Sequence, residues 1–168
     1  ARAINELCRL EGRFVLRSGR VADEYFDKYL FESDPTVLRE VAEHMVTLLP
    51  KDTDVVGGLE LGGVPLATAV SLLTGLPAVF VRKEAKRYGT CKLAEGRPVA
   101  GATVTLIEDV ITTGGAVQAA VESLRERSAE VTTVVCAIDR SNEGRLEAAG
   151  VSVRSVLTLA DLDRAHRP

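Results

Sequence analysis

Val104-Thr105-Leu106-Ile107-Glu108-Asp109-Val110-Ile111-Thr112-Thr113-Gly114-Gly115-Ala116 is the stretch from which the rest of the chain is read. An apolar, β-branched run over Val104–Ile107 predicts a strand that ends in two adjacent carboxylates. A Thr-Thr-Gly-Gly turn then leads into a helix over Ala116–Arg127. Such a turn and the helix start behind it offer backbone N–H groups and hydroxyls to a phosphate. The glycines let backbone approach the ligand closely. Two carboxylates beside that cradle repel a bare phosphate, so the ligand must bring a second feature, either vicinal hydroxyls or a bound cation. An acidic strand end before an ordinary glycine turn explains a lone TTGG, but not the whole strand, acid pair, turn and helix succession. The stretch lacks the GKS/GKT ending of a Walker loop and is not a GxGxxG dinucleotide turn.

Outward from this unit the chain alternates. Strands are predicted at Asp54–Gly57, Ala78–Val81, Val131–Ile138 and Val151–Leu157, and helices at Val64–Leu73 and Glu143–Ala149. Strand-then-helix repetition with β-branched runs predicts the α/β class, a parallel sheet covered on both faces. Asp34-Pro35 opens a further helix, as N-cap and first helical residue, with Val37, Leu38, Val41, Ala42, Met45, Leu48 and Leu49 on its apolar face. A short helix over Ala1–Leu10 and extended pieces at Phe14–Leu16 and Tyr25–Tyr29 do not fit the alternation. The segment before Asp54 is therefore expected to form a small subdomain. The expected organisation is one domain over 1–168, with 1–33 as a hood and 34–168 as the α/β core. Between Val81 and Val104 lies a long connection with little apolar periodicity that carries Arg82, Lys83, Lys86, Arg87, Lys92 and Arg97. Connections of that length inside a compact domain are usually lids or binding loops; a solvated charged face is the alternative.

Composition narrows the class. The 168 residues carry 46% hydrophobic and 27% charged side chains, a globular balance rather than a disordered one. The formal charge of −3 and the lack of a basic stripe point away from nucleic acid, and no apolar run is long enough to span a membrane. Cys8, Cys91 and Cys136 form no CxxC pair, and an odd count suits a reducing cytoplasm.

The central stretch resembles the PRPP-binding motif of type I phosphoribosyltransferases, PRPP being phosphoribosyl pyrophosphate. Three further segments resemble the orotate branch of that family, in its order: Phe14–Gly19 followed by Tyr25-Phe26-Asp27, then Val81–Lys86 with Gly89, then Ala137-Ile138-Asp139-Arg140. The resemblance spans nearly the whole chain. It implies transfer of the phosphoribosyl group to orotate, with release of pyrophosphate, in UMP biosynthesis, with magnesium bound together with PRPP. It implies that Thr112, Thr113, Gly114, Gly115 and Ala116, with Val110 and Ile111 leading in, hold the phosphate, and that Glu108 and Asp109 hold the ribose. By the same resemblance Arg82, Lys83, Lys86 and Tyr88 serve the pyrophosphate side, with Lys86, Asp109 and Glu108 catalytic. Arg17, Tyr25, Phe26, Thr112 and Arg140 would meet orotate, Arg140 through its carboxylate. The metal is expected to be held chiefly by pyrophosphate and ribose oxygens, with no all-protein cage and no metal site assigned to protein residues, and a homodimer is implied in which loop 82–103 is shared across subunits.

Some positions depart from the family's usual pattern. Glu108 stands for the commoner Asp, Arg17 for a lysine and Tyr88 for a histidine, and Leu61-Gly62 stands where many members have Tyr-Lys. Pyrophosphate contacts there must come from backbone amides or from charges elsewhere. Two other readings stay open, a phosphoribosyltransferase for adenine or another purine, and a PRPP-sensing or RNA-binding regulator with catalysis lost or subordinated.

Overall fold

In the computed structural model, residues 1–15, 19–83, 93–141 and 145–166 are described. The expected α/β sheet is present. Six strands lie in the order β5-β4-β3-β6-β7-β8, namely Ala94–Gly96, Ala78–Val81, Val55–Leu59, Thr103–Ile111, Glu130–Asp139 and Ser152–Thr158. All neighbours pair in parallel except β5, an antiparallel edge on β4.

Period-two alternation sorts the strand residues onto two faces. Leu106, Val134 and Cys136 point to one face, where Val117, Ala120, Val121 and Leu124 of α5 (Gly115–Arg125) cover them. Ile107, Val135 and Ala137 point to the other, against Val41, Ala42 and Met45 of α3 (Pro35–Leu48) and Leu66, Ala67 and Val70 of α4 (Gly63–Thr74). Burying one such Leu or Ile contributes about 1.5–3 kcal/mol, so both faces are strongly specified. Helix α3 starts as its sequence predicts: Asp34 accepts from the N–H of Thr36 at 2.9 Å and of Val37 at 3.0 Å.

Several expectations need correction. Helix α3 is a layer of the sheet, so the segment before Asp54 does not stand apart as a whole. Helix α1 (Arg2–Cys8) stops short of Arg9 and Leu10, which join the hairpin β1–β2 (Arg9–Val15 with Val21–Phe26). The second extended piece ends at Phe26, and Tyr29 opens α2 (Tyr29–Ser33). Strand β6 continues past the acids to Ile111, because its pairing with β7 runs on through Val110 and Ile111. The connection 82–103 contains β5 and the buried Val99, so its second half packs on its own chain's sheet. After the short α6 (Arg145–Ala148) and β8, a last helix α7 (Leu159–His166) follows where no element was predicted. Its start carries a capping box: the Thr158 N–H donates to Asp161 Oδ2 at 2.8 Å, and the Asp161 N–H donates to Thr158 Oγ1 at 3.3 Å. Thr-x-x-Asp was the readable signal.

Candidate active site

The carboxyl ends of β3, β4, β6 and β7 converge on one edge of the sheet, the usual ligand side of such folds. Glu108 and Asp109 lie there and are buried, Asp109 with no exposed surface at all (0%). Thr112, Thr113, Gly115 and Ala116 are exposed just beyond them. Gly114 has a left-handed φ of 72°, which favours glycine, and a Cβ there would also crowd the Leu146 side chain at 3.0 Å. Among the described residues no side chain caps α5. Its first internal bond is the Gln118 N–H to the Gly114 carbonyl, 2.9 Å, leaving the amides before it directed at an incoming anion. Ile111, expected among the phosphate contacts, buries its side chain in the core, so only its backbone faces this edge.

A second glycine-rich turn presses against the end of β6 and its acid pair. In the loop from β3 to α4, a Cβ on Gly63 would lie 2.4 Å from the Ile107 carbonyl oxygen. A Cβ on Gly62 would lie 1.7 Å from Asp109 Oδ2 and 2.7 Å from Glu32 Oε1. At Gly62 and Gly63 this loop brings backbone rather than side chains to the site, and among the described residues no side chain caps the start of α4.

Two charged residues not anticipated as part of the site complete it. The Lys28 ammonium forms an ion pair with Asp109 Oδ2, while the Val110 N–H donates to Asp109 Oδ1 at 2.6 Å. Glu32, one helical turn beyond Lys28, is buried beside them. Burial opposes the charge on Asp109, but hydrogen bonds from Glu108 and Lys28 and the charge of Lys28 outweigh it and hold the carboxyl below its ordinary value. Burial likewise opposes the Lys28 charge, yet its bond and attraction to Asp109 hold the ammonium above its ordinary value. Burial, then the hydrogen bond with Asp109 and its charge, push Glu108 up to about 9 and Glu32 up to about 8. Burial and mutual repulsion thus bias Glu108 and Glu32 toward the protonated form, while Asp109 and Lys28 are biased toward the charged one. The i, i+4 spacing of Lys28 and Glu32 was visible in the sequence, but not that this face meets Asp109.

The base of the 82–103 connection lies on the same edge. Arg82 and Lys83 line a cavity of about 220 Å³ together with Glu60, Leu93 and Ala116. The Lys83 N–H donates to Glu60 Oε2 at 3.0 Å. Lys86 and Tyr88 fall outside the described residues, as does Arg17.

On the β7 side, the Arg140 guanidinium carbon lies 6.0 Å from the centroid of the Phe26 ring. Tyr25, Phe26 and Arg140 line one cavity of about 340 Å³ with Arg9, Glu24 and Asp163. Asp139 does not claim the arginine, because it accepts from the Ser141 N–H at 2.8 Å and the Ser141 hydroxyl at 2.7 Å. Tyr25 is exposed and packs at 5.4 Å on the Phe14 ring. Among the described residues, no helix is long and apolar enough to cross a membrane.

The geometry agrees with what the chain is similar to. The model of the phosphoribosyl transferase domain matches residues 32–156. The orotate phosphoribosyltransferase of a Nocardioides species is 65% identical over 97% of this chain and 92% of its own length. A crystal structure of Mycobacterium tuberculosis orotate phosphoribosyltransferase superposes with a TM-score of 0.85 at 37% identity, covering 95% of this chain and 94% of that one. A structure from the same organism in complex with PRPP superposes with a TM-score of 0.81 at 33% identity, with the same coverages of 95% and 94%.

Proposed function

We infer that this chain, which belongs to the orotate phosphoribosyltransferase family, transfers the phosphoribosyl group of PRPP to orotate, giving orotidine 5'-phosphate and pyrophosphate in pyrimidine biosynthesis. The observation that carries this reading is the buried Glu108–Asp109 pair set directly before an uncapped helix start at the carboxyl end of β6.

In the reaction a pyrimidine nitrogen replaces the pyrophosphate oxygen at the anomeric carbon. As that oxygen leaves with its electron pair, positive charge builds on the ribose ring. The Thr112–Ala116 turn holds the 5-phosphate through its amides and hydroxyls. Asp109, the ionised member of the pair, accepts from a ribose hydroxyl and tolerates the ring charge. Glu108, protonated, is able to donate as well as accept. Arg82, Lys83 and Lys86 neutralise the departing pyrophosphate, and Tyr88 contributes to binding PRPP. Arg140 reads the orotate carboxylate, with Phe26 beneath its guanidinium, and Tyr25, Thr112 and Arg17 contribute to binding the base; a planar guanidinium suits a carboxylate bidentately.

Magnesium is part of this proposal. A pyrophosphate brought beside carboxylates requires a cation, and two glycine-rich turns that offer backbone suit a ligand carrying its own. Among the described residues no group of three His, Cys, Asp or Glu side chains could hold a metal by itself, so the ion would be held mainly by PRPP's own oxygens. When bound, it screens the pyrophosphate charge as the leaving bond breaks.

We further propose a homodimer in which the 82–103 connection serves the neighbour's site. Because 93–103 return to their own sheet, this exchange concerns 84–92. Residues 1–33 act as a hood over the 34–168 core, a role that the Lys28–Asp109 ion pair supports. The buried free thiols of Cys8 and Cys136 suit a cytoplasmic setting. Turnover with orotate, uracil and adenine as competing acceptors of PRPP tests the reading. Orotate should react at least ~100-fold faster than either control, and preference for adenine overturns it.

A further inference from the structure

Helix α2 turns one face toward Asp109. Phe31 is buried at 0% exposure and anchors the helix in the core, and Asp27 Oδ1 accepts from the Tyr29 N–H at 3.1 Å to fix its start. Lys28 and Glu32 then stand one turn apart on the side facing the acid pair. Gly62 leaves the space in which they meet Asp109, since any larger residue there would displace the carboxylate. The Lys28 side chain is 34% exposed and that of Asp109 1%, so the ammonium closes the site from the solvent side.

We propose that Lys28 is a positioning residue of the phosphoribosyl site, aiming the Asp109 carboxylate at the ribose hydroxyls by pairing with its Oδ2. The Val110 N–H fixes Oδ1 and Lys28 fixes Oδ2, which sets the plane of the carboxylate. Glu108 and Glu32 also hydrogen-bond to this carboxylate, so a ribose hydroxyl would take the place of one of them. After the hydrogen bond from Glu108, the same contact is what holds Asp109 ionised, and the groups that face Lys28 and Glu32 are Asp109, Glu108, Tyr29, Asp27 and the Cys8 thiol. This inference rests on the phosphoribosyl-transfer reading.

The test is steady-state kinetics of Lys28→Met and Lys28→Arg, each beside the unaltered chain, whose own turnover checks the parent reading separately. Lys28→Met should raise the KM for PRPP at least ~10-fold while that for orotate changes less than ~2-fold. The acid limb of kcat/KM should move to higher pH, because Asp109 no longer ionises beside a cation. Lys28→Arg should keep the limb in place and recover most of the PRPP affinity. Since Lys28→Met leaves a buried carboxylate unpaired, Asp109→Asn with and without Lys28→Met provides a second comparison. In that background, removal of the lysine should change PRPP affinity less than ~2-fold. An unchanged PRPP KM and pH profile in folded Lys28→Met overturns the proposal. A further ~10-fold loss on adding Lys28→Met to Asp109→Asn overturns it too, because Lys28 would then act on the ligand without Asp109.

Discussion

The backbone N–H of Arg140 donates to the carbonyl of Ile111 at 2.8 Å. The strand end that bears the arginine is thereby tied to the strand end that bears the acid pair, which fixes the spacing between the two halves of the site. Orotate differs from uracil by one carboxylate, so discrimination between them needs a cation at this place. Arg140→Ala should cost about 2–4 kcal/mol, ~30- to 1000-fold in kcat/KM for orotate. PRPP affinity should hold, because the turn at Thr112–Ala116 is untouched. Orotate kinetics with calorimetry of PRPP binding checks both halves. Normal orotate turnover would remove Arg140 from the role.

Gly62→Ala tests the close approach of the β3–α4 loop to the Asp109 carboxylate. Its Cβ would meet Asp109 Oδ2 at 1.7 Å and Asp109 Cγ at 2.5 Å, so the carboxylate or the loop must shift. Overpacking of this kind costs about 1–3 kcal/mol. We expect a lower Tm and at least ~10-fold weaker PRPP binding, whereas Leu61→Ala, at an exposed neighbour, should leave both nearly unchanged. Equal behaviour of the two variants would contradict the geometry.

The sheet, its parallel pairing and the acid pair were legible because each rests on local pattern. β-branched runs mark Val131–Ile138, and strand, acids and glycines stand consecutively in 104–116. What escaped was long-range. Lys28 and Glu32 look like surface charges in sequence and become site residues only because Phe31 anchors α2 in the core. The edge strand Ala94–Gly96 is too short and polar for periodicity to find. Helix α7 buries essentially one residue, Leu162, so its apolar signal is weak, and its capping box was the clue to use.

Stability of the ligand-free protein should depend on Glu32 in a defined direction. Its folded-state pKa is raised to about 8 from an ordinary 4.5, so between those values the folded chain keeps a proton that the unfolded chain has released. Stability then falls as pH rises through that window. Glu108 contributes with the same sign, whereas the lowered Asp109 contributes stability that is lost on acidification. Glu32→Gln removes one of the two raised carboxyls. Its Tm relative to the unaltered chain should therefore improve between about pH 5 and about pH 8.5. Parallel Tm curves across that range would show that Glu32 titrates normally.

The subunit-exchange proposal has its own test. Lys86→Ala chains and Asp109→Asn chains, each with kcat lowered at least ~100-fold, should regain activity when mixed. A mixed dimer has one site with both lesions and one with neither. No recovery after verified exchange of subunits counts against sharing.

Loss of orotate absorbance in the presence of PRPP and magnesium, followed together with released pyrophosphate, tests the central claim most directly. The account predicts that orotate disappears one-for-one with pyrophosphate formed, and that omission of PRPP stops both. Pyrophosphate release without loss of orotate, or no reaction at all with folded protein, would contradict it.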